Sequence, residues 1–220
     1  ALVSGAFAAG LAAALLIMAL GRIRTGSPIL TIVLGGIVVS ALFNALVSLV
    51  TYPADPYTTL PSITFWLMGS FAAASWTHVV TAIIPILPCL IVVYLLRWRV
   101  NLLSLGDDEA RSLGVRPERL RMFLIIMVAL MTAATVAVSG VIGWVGLVIP
   151  HLVRLLIGSD NRILLPGSAL LGGLYMLVVD TLARSAIEVE IPVGILTAII
   201  GAPVFVYLLV RRAKGGKLLA

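Results

Sequence analysis

Residues 77–121 read "THVVTAIIPILPCLIVVYLLRWRVNLLSLGDDEARSLGVRPERLR". Residues 77–96 contain no Asp, Glu, Lys or Arg. About twenty apolar residues are what an α-helix needs to cross a hydrocarbon core of about 30 Å. Arg97-Trp98-Arg99 then close the run, and half of residues 106–121 are charged. Oily run followed by polar block is a pattern that recurs along the chain. It predicts an all-α polytopic membrane protein.

Composition agrees. Of 220 residues, 61% are hydrophobic and only 11% are charged, and the mean hydropathy is +1.19. Further apolar runs cover 1–21, 28–52, 122–139, 141–157, 163–183 and 192–210. With 77–96 they make seven expected transmembrane helices. The sequence begins without Met inside an apolar run, which suggests a piece lacking an N-terminal portion. The single cysteine, Cys89, allows no internal disulfide. The net charge of +6 needs no nucleic-acid partner, because polytopic membrane proteins place Lys and Arg on their cytoplasmic loops.

Loop charge gives an orientation. With seven crossings and a cytoplasmic C-terminus, every Lys and Arg except Arg184 falls inside, while Asp55, Glu188 and Glu190 fall outside. That asymmetry satisfies the positive-inside rule. The same parity bears on "ITFWLMGSFAAASW" (63–76). If it crossed, the Arg97 cluster would lie outside, so it is expected as a short outer helix with Trp66 and Trp76 at the interface.

Run 141–157, "VIGWVGLVIPHLVRLLI", is unusual. Gly140, Gly143 and Gly146 recur every third residue and Pro150 interrupts the run. Proline removes a backbone hydrogen bond, and irregular backbone at membrane depth is tolerated only when packed in protein or lining a cavity. The glycines serve either such a central position or close helix packing. Ser40 and Asn44 share a helix face four residues apart. They either line a wide path or bond across helices.

Several chemistries find no residues here. The sequence has no G-x-x-x-x-G-K-[ST], so it carries no P-loop for ATP. His78 and His151 are far apart, no Cys/His/carboxylate set has metal-ligand spacing, and no catalytic cluster or cofactor motif occurs. No acidic residue sits at the centre of a run, the nearest being Asp180. Proton- or ion-coupled carriers commonly place one there.

The charged block has helix punctuation. Asp107, Asp108 and Glu109 suit a helix N-terminus, Gly114 suits a stop, and Pro117 with Glu118 suits a second start. Two short helices are expected, near 107–113 and 116–120. Leu105, Ala110 and Leu113 give the first an apolar edge. From these residues the block is either a docking surface for a soluble partner or a solvated loop.

"LLSLGDDEARSLGV" (102–115) resembles the cytoplasmic coupling segment of permeases of type II ABC importers, the FecCD family, which takes up iron–siderophore complexes, haem and cobalamin. "SGVIGWVGLVIPHLVRLLIGSDNRILLPGSALLGG" (139–173) and "DTLARSAIEVEIPVGILTAIIGAPVFVYLL" (180–209) are similar to the family's most specific stretches. "LPSITFWLMGSF" (60–71) is similar to its outer segment. The resemblance covers essentially the whole chain. It implies spans four to ten of a ten-span permease, one permease domain over 1–220 with its coupling segment at 101–121, in a bacterial cytoplasmic (inner) membrane.

The resemblance also implies partners and roles. Two permease copies form a homodimeric pore, two ABC ATPase subunits dock on the coupling helices, and an extracytoplasmic substrate-binding protein delivers a metal chelate. The permease itself is not an enzyme and needs no cofactor. ATPase contact falls on Leu105, Gly106, Asp107, Glu109, Ala110, Leu113, Gly114 and Val115. Arg184 either meets an acidic residue of the binding protein or pairs with Asp180 along its own helix, a contact worth about 0.5 kcal/mol or less. The pathway is expected along Gly36, Ser40 and Asn44, then Gly143, Gly146 and Pro150, then Thr197 and Gly201. The cytoplasmic gate is matched to Thr25 and Ser27. Ferric siderophore is the expected ligand, with haem, cobalamin and molybdate open. A secondary transporter or channel of unrelated mechanism is the competing reading.

Overall fold

The computed structural model describes residues 2–21, 28–185 and 190–216. The described residues form ten α-helices: α1 (Leu2–Gly21), α2 (Pro28–Thr51), α3 (Thr59–Met68), α4 (Trp76–Leu95), α5 (Arg97–Leu102), α6 (Asp107–Ser112), α7 (Pro117–Ser139), α8 (Val145–Ile157), α9 (Asn161–Ser185) and α10 (Val193–Gly216). Seven of them, α1, α2, α4, α7, α8, α9 and α10, correspond one for one to the seven apolar runs. Among the described residues, four stretches are long and apolar enough to cross a membrane: Val33–Thr51, Trp76–Leu95, Pro117–Ser139 and Asn161–Ser185.

Three boundaries differ from the sequence expectation. The outer helix is α3, Thr59–Met68, and not 63–76. It begins earlier because Asp55 organises its entry, accepting the backbone N–H groups of Tyr57 at 2.7 Å and Thr58 at 3.1 Å. It stops where Gly69 turns left-handed at φ +72°. Trp76 therefore opens α4. The second short helix expected at 116–120 is the first turn of α7. Pro117 starts that helix well, and nothing between it and the apolar run stops it. The 141–157 element becomes helical only at Val145. Gly140 and Trp144 both sit at φ +69°, which an α-helix does not contain. The remaining 13 residues span about 20 Å at 1.5 Å per residue, short of a full crossing.

The chain forms two compact units, Ala1–Phe65 with Ser75–Val93 and Arg116–Val138, and Trp66–Ala74 with Tyr94–Val115 and Ser139–Ala220. In the first, α1 packs along α2. A Cβ on Gly10 would lie 2.9 Å from the Cβ of Ala133, and Ala133, Ala134 and Val39 are buried. Small residues at helix contacts are how apolar helices approach closely when lipid offers no hydrophobic drive.

In the second unit α8, α9 and α10 pack on one another. Ile149, Val153 and Leu164 form one core cluster, joined by Val145, Leu171 and Tyr175. Val179, Ala183 and Val193 form another, joined by Phe71, Ile142, Tyr175, Met176 and Leu196. α5 rests on the start of α9, where the Asn101 Oδ1 accepts the Asn161 N–H at 3.0 Å. Asp160 caps α9 by accepting the Arg162 backbone N–H at 2.9 Å and its Nε at 2.9 Å. Those bonds from Arg162 hold the Asp160 carboxyl below its usual range. Such a cap supports the fold above the ordinary carboxylate range and is lost as pH falls through the lowered value.

Candidate functional site

The residues expected to contact an ATPase fold into a capped turn and a half, α6. Gly106 precedes α6 at φ 118°, ψ 164°, a conformation reserved for glycine. Asp107, Asp108 and Glu109 occupy the first turn, where negative charge complements the helix dipole. At the other end the Gly114 N–H donates to Arg111 O at 3.0 Å and the Val115 N–H to Ala110 O at 2.9 Å. With Gly114 left-handed at φ +81°, this is a Schellman stop. Ala110 and Val115 close it with apolar contact, 0% and 9% exposed.

The closure sorts the eight coupling candidates. Ala110 and Val115 point inward and hold the turn. Gly106 and Gly114 set its two ends. Leu105 and Leu113 are 57% and 58% exposed, and Glu109 is exposed as well. Asp107 is half-buried and engaged within the fold. Asp108 and Arg111 pair at 2.8 Å on the outside. Two outward leucines beside an acidic first turn have the composition of a docking edge: apolar area for affinity, charge for orientation.

The pathway candidates divide between the two units. Gly36, Ser40 and Asn44 lie on α2, with Ser40 and Asn44 exposed. The other five lie in the second unit, on α8, α10 and the irregular entry to α8. Gly143 and Gly146 are exposed and Pro150 is half-buried inside α8. Thr197 is fully buried and donates to Gly194 O at 3.0 Å. Gly201 is buried against Trp144, whose Cβ would lie 2.6 Å from a Cβ placed there. Trp144 and Phe205 tilt together at 6.3 Å, and His151 meets Phe205 edge-on at 5.7 Å. α8 and α10 are thus joined by an aromatic row seated on a glycine. Gly201→Ala is expected to cost about 1–3 kcal/mol by overpacking, read as a lower unfolding temperature of the detergent-purified protein. A wild-type melt would contradict this seating. The gate residues Thr25 and Ser27 lie outside the described residues.

Arg184 ends α9. Its Nε donates to Asp180 Oδ2 at 3.0 Å and its Nη2 to Phe71 O at 3.2 Å, so the intrahelical pair is formed and a second segment shares it. Beside it, the Ser70 N–H donates to Ser139 O at 2.9 Å and Ser70 Oγ to Glu190 Oε1 at 3.3 Å. Three glycines meet here. A Cβ on Gly140 would strike Trp66 O, one on Gly194 would strike Met68 O, and one on Gly69 would lie 2.6 Å from Val141 O. Sequence reading singled out neither Gly69 nor Gly194. Each lay at a visible signal, Gly69 ending the apolar "ITFWLM" and Gly194 following Pro192 at a helix start.

The match to known proteins is continuous with this geometry. The FecCD transport family model matches residues 1–211. The chain belongs to the FecCD transport family. This FecCD chain is 48% identical over 188 residues to the molybdate import system permease protein MolB of Haemophilus influenzae, covering 86% of this chain and 56% of that protein. It is 43% identical over 211 residues to the hemin transport system permease protein HmuU of Yersinia pestis, covering 96% of this chain and 63% of that one. It thus spans less than two thirds of those relatives. A solved chain described as an inward-facing conformation of a metal-chelate type ABC transporter superposes with a TM-score of 0.82 at 40% identity, covering 96% of this chain and 75% of that one. The FecCD chain shares that permease fold and is a multi-pass membrane protein.

Proposed function

We propose that this chain belongs to a transmembrane permease subunit of an ATP-binding-cassette importer. It acts as one permease domain in a homodimer in a bacterial inner membrane, with its C-terminus cytoplasmic. Two separate ATPase subunits engage the 101–121 segment, and an extracytoplasmic binding protein docks at the opposite rim, where Arg184 lies. ATP binding moves the coupling turn and switches a pathway lined by α2, α8 and α10 between outward and inward access. The permease carries no ATP site or catalytic group of its own.

The observation that carries this reading is the family match over residues 1–211, with a capped α6 turn inside it that leaves Leu105 and Leu113 exposed. The cargo is a metal chelate, with ferric siderophore the first ligand to test. Relatives of similar identity are named for molybdate, hemin and cobalamin, so identity alone does not sort these ligands. With no charged residue central in any run, selectivity rests with the binding protein.

The test is uptake by the full-length permease reconstituted with its ATPase and binding protein. Accumulation of ferric siderophore should require ATP and the binding protein and survive ionophores. Hemin, cobalamin and molybdate serve as parallel ligand arms. Uptake that ionophores dissipate and ATP depletion leaves unchanged would establish a secondary carrier or channel instead.

A further inference from the structure

The rim where α4 ends, α8 ends and α9 begins carries an arrangement of aromatic and guanidinium groups just ahead of the 101–121 segment. α5 follows α4 after Leu96 alone. Its Trp98 faces the start of α9, with the Arg162 guanidinium 5.1 Å over the indole ring. Arg97 sits 3.9 Å over the Tyr94 ring. Asn101, three residues after Trp98, ties the same face of α5 to the Asn161 N–H. A six-residue helix has little stability of its own. Here it is fastened by a hydrogen bond, a cation–π stack and packing on α9.

Its charges are unequally used. Arg162 is neutralised by Asp160, and the first N–H groups of α9 are taken by Asn101 and Asp160. The helix start is therefore not an anion site. Among the described residues, no carboxylate pairs with Arg97, Arg99 or Arg154. Arg99 and Arg154 are exposed. Trp98 is 56% exposed and, among the described residues, no acceptor takes its indole N–H. An amphipathic ring flanked by unpaired guanidinium groups, held at the end of a membrane helix, matches the headgroup depth of a bilayer.

We propose that α5 forms a headgroup site for an anionic phospholipid. Arg97 and Arg99 bind the phosphate, and Trp98 lies at the glycerol level with its N–H toward the ester oxygens. The occupant is lipid rather than the ATPase because an indole and a tyrosine at the end of a span suit the headgroup interface.

The experiment uses the full-length permease in phosphatidylcholine nanodiscs with and without phosphatidylglycerol. Phosphatidylglycerol retained after detergent washing is counted by mass spectrometry. Wild type should retain it in excess over phosphatidylcholine. R97Q and R99Q should each lower that retention by about fivefold, the equivalent of about 1 kcal/mol per basic residue near an anionic surface. R97K/R99K should keep most of it, since lysine preserves the charge. Inorganic phosphate should not compete, which separates a lipid site from a free-anion site. Should R97Q/R99Q fold poorly, W98F tests the site by removing the N–H while keeping an aromatic, though smaller, ring, and should also lower retention. Equal retention by wild type and R97Q, R99Q and W98F overturns the proposal. So does unchanged retention with loss of ATPase co-purification, which would give the surface to the ATPase.

Discussion

Leu113→Asp is expected to abolish ligand-stimulated ATP hydrolysis by the assembled transporter while the permease still inserts and dimerises. Leu113 is the C-cap of α6 at φ −87°, ψ 12°, an ordinary conformation for any residue, and its side chain is mostly in solvent. The turn is held by the Ala110–Val115 bond and by Gly114, none of which needs the leucine. An aspartate there meets the negative end of the helix dipole, a cost of about 0.3–1 kcal/mol, too small to unfold a membrane domain. At a docked surface the arithmetic differs. Losing a buried leucine contact costs about 1.5–3 kcal/mol, and an unpaired carboxylate adds a desolvation penalty of a few kcal/mol more. Since 1.4 kcal/mol is about tenfold in affinity, docking should fall by two or more orders of magnitude. Leu113→Met should keep stimulation. Gly114→Pro should lose it by a different route, because proline fixes φ near −65° where the Schellman stop has φ +81°. Stimulation unchanged in Leu113→Asp would remove the docking edge from this turn.

The helical turn of α6 was largely legible before the structure. Its acidic start, its glycine stop and its apolar positions are local signals, because helix ends are decided by residues within a few positions of each other. What sequence left undivided was the direction of each side chain. Ala110, Leu113 and Val115 are equally apolar on the page, yet Ala110 and Val115 close the cap and Leu113 does not. The seven apolar runs were legible for the same reason, since length and hydropathy are properties of a run taken alone. The boundaries that moved, at α3, α7 and α8, moved where backbone conformation rather than hydropathy rules. Trp144 at φ +69° gives no sequence warning. Thr197 showed a hydroxyl without showing its partner, which the structure gives as Gly194 O, one turn back on the same helix. Arg184 left two partners open, and i, i+4 spacing can offer only the helical one.

The largest folding effect is expected at Gly140, with Gly143 and Gly146 as internal controls. In sequence the three are one periodic series. In the structure they are three different environments. A Cβ on Gly140 runs into the Trp66 carbonyl oxygen and lies 3.0 Å from Gly69 Cα, whereas Gly143 and Gly146 have nothing within 4 Å. Gly140 is also left-handed, which costs a non-glycine residue about 1–2 kcal/mol. Its neighbours are backbone, so no rotamer change can make room. Trp66 O already accepts the Gly69 N–H at 3.2 Å, and the next residue, Ser70, donates to Ser139 O at 2.9 Å. Making space for a methyl group therefore pushes segment 66–70 away and breaks that link. Gly140→Ala should destabilise by on the order of 3–5 kcal/mol, the range of mutations that combine strain with core disruption. Gly143→Ala and Gly146→Ala should stay within about 0.5 kcal/mol. Thermal unfolding of the three full-length variants in one detergent measures the contrast. A Gly140→Ala protein that melts with the wild type, or a Gly146→Ala protein that alone is lost, would mean that the glycine series serves a path or a partner rather than this junction of backbones.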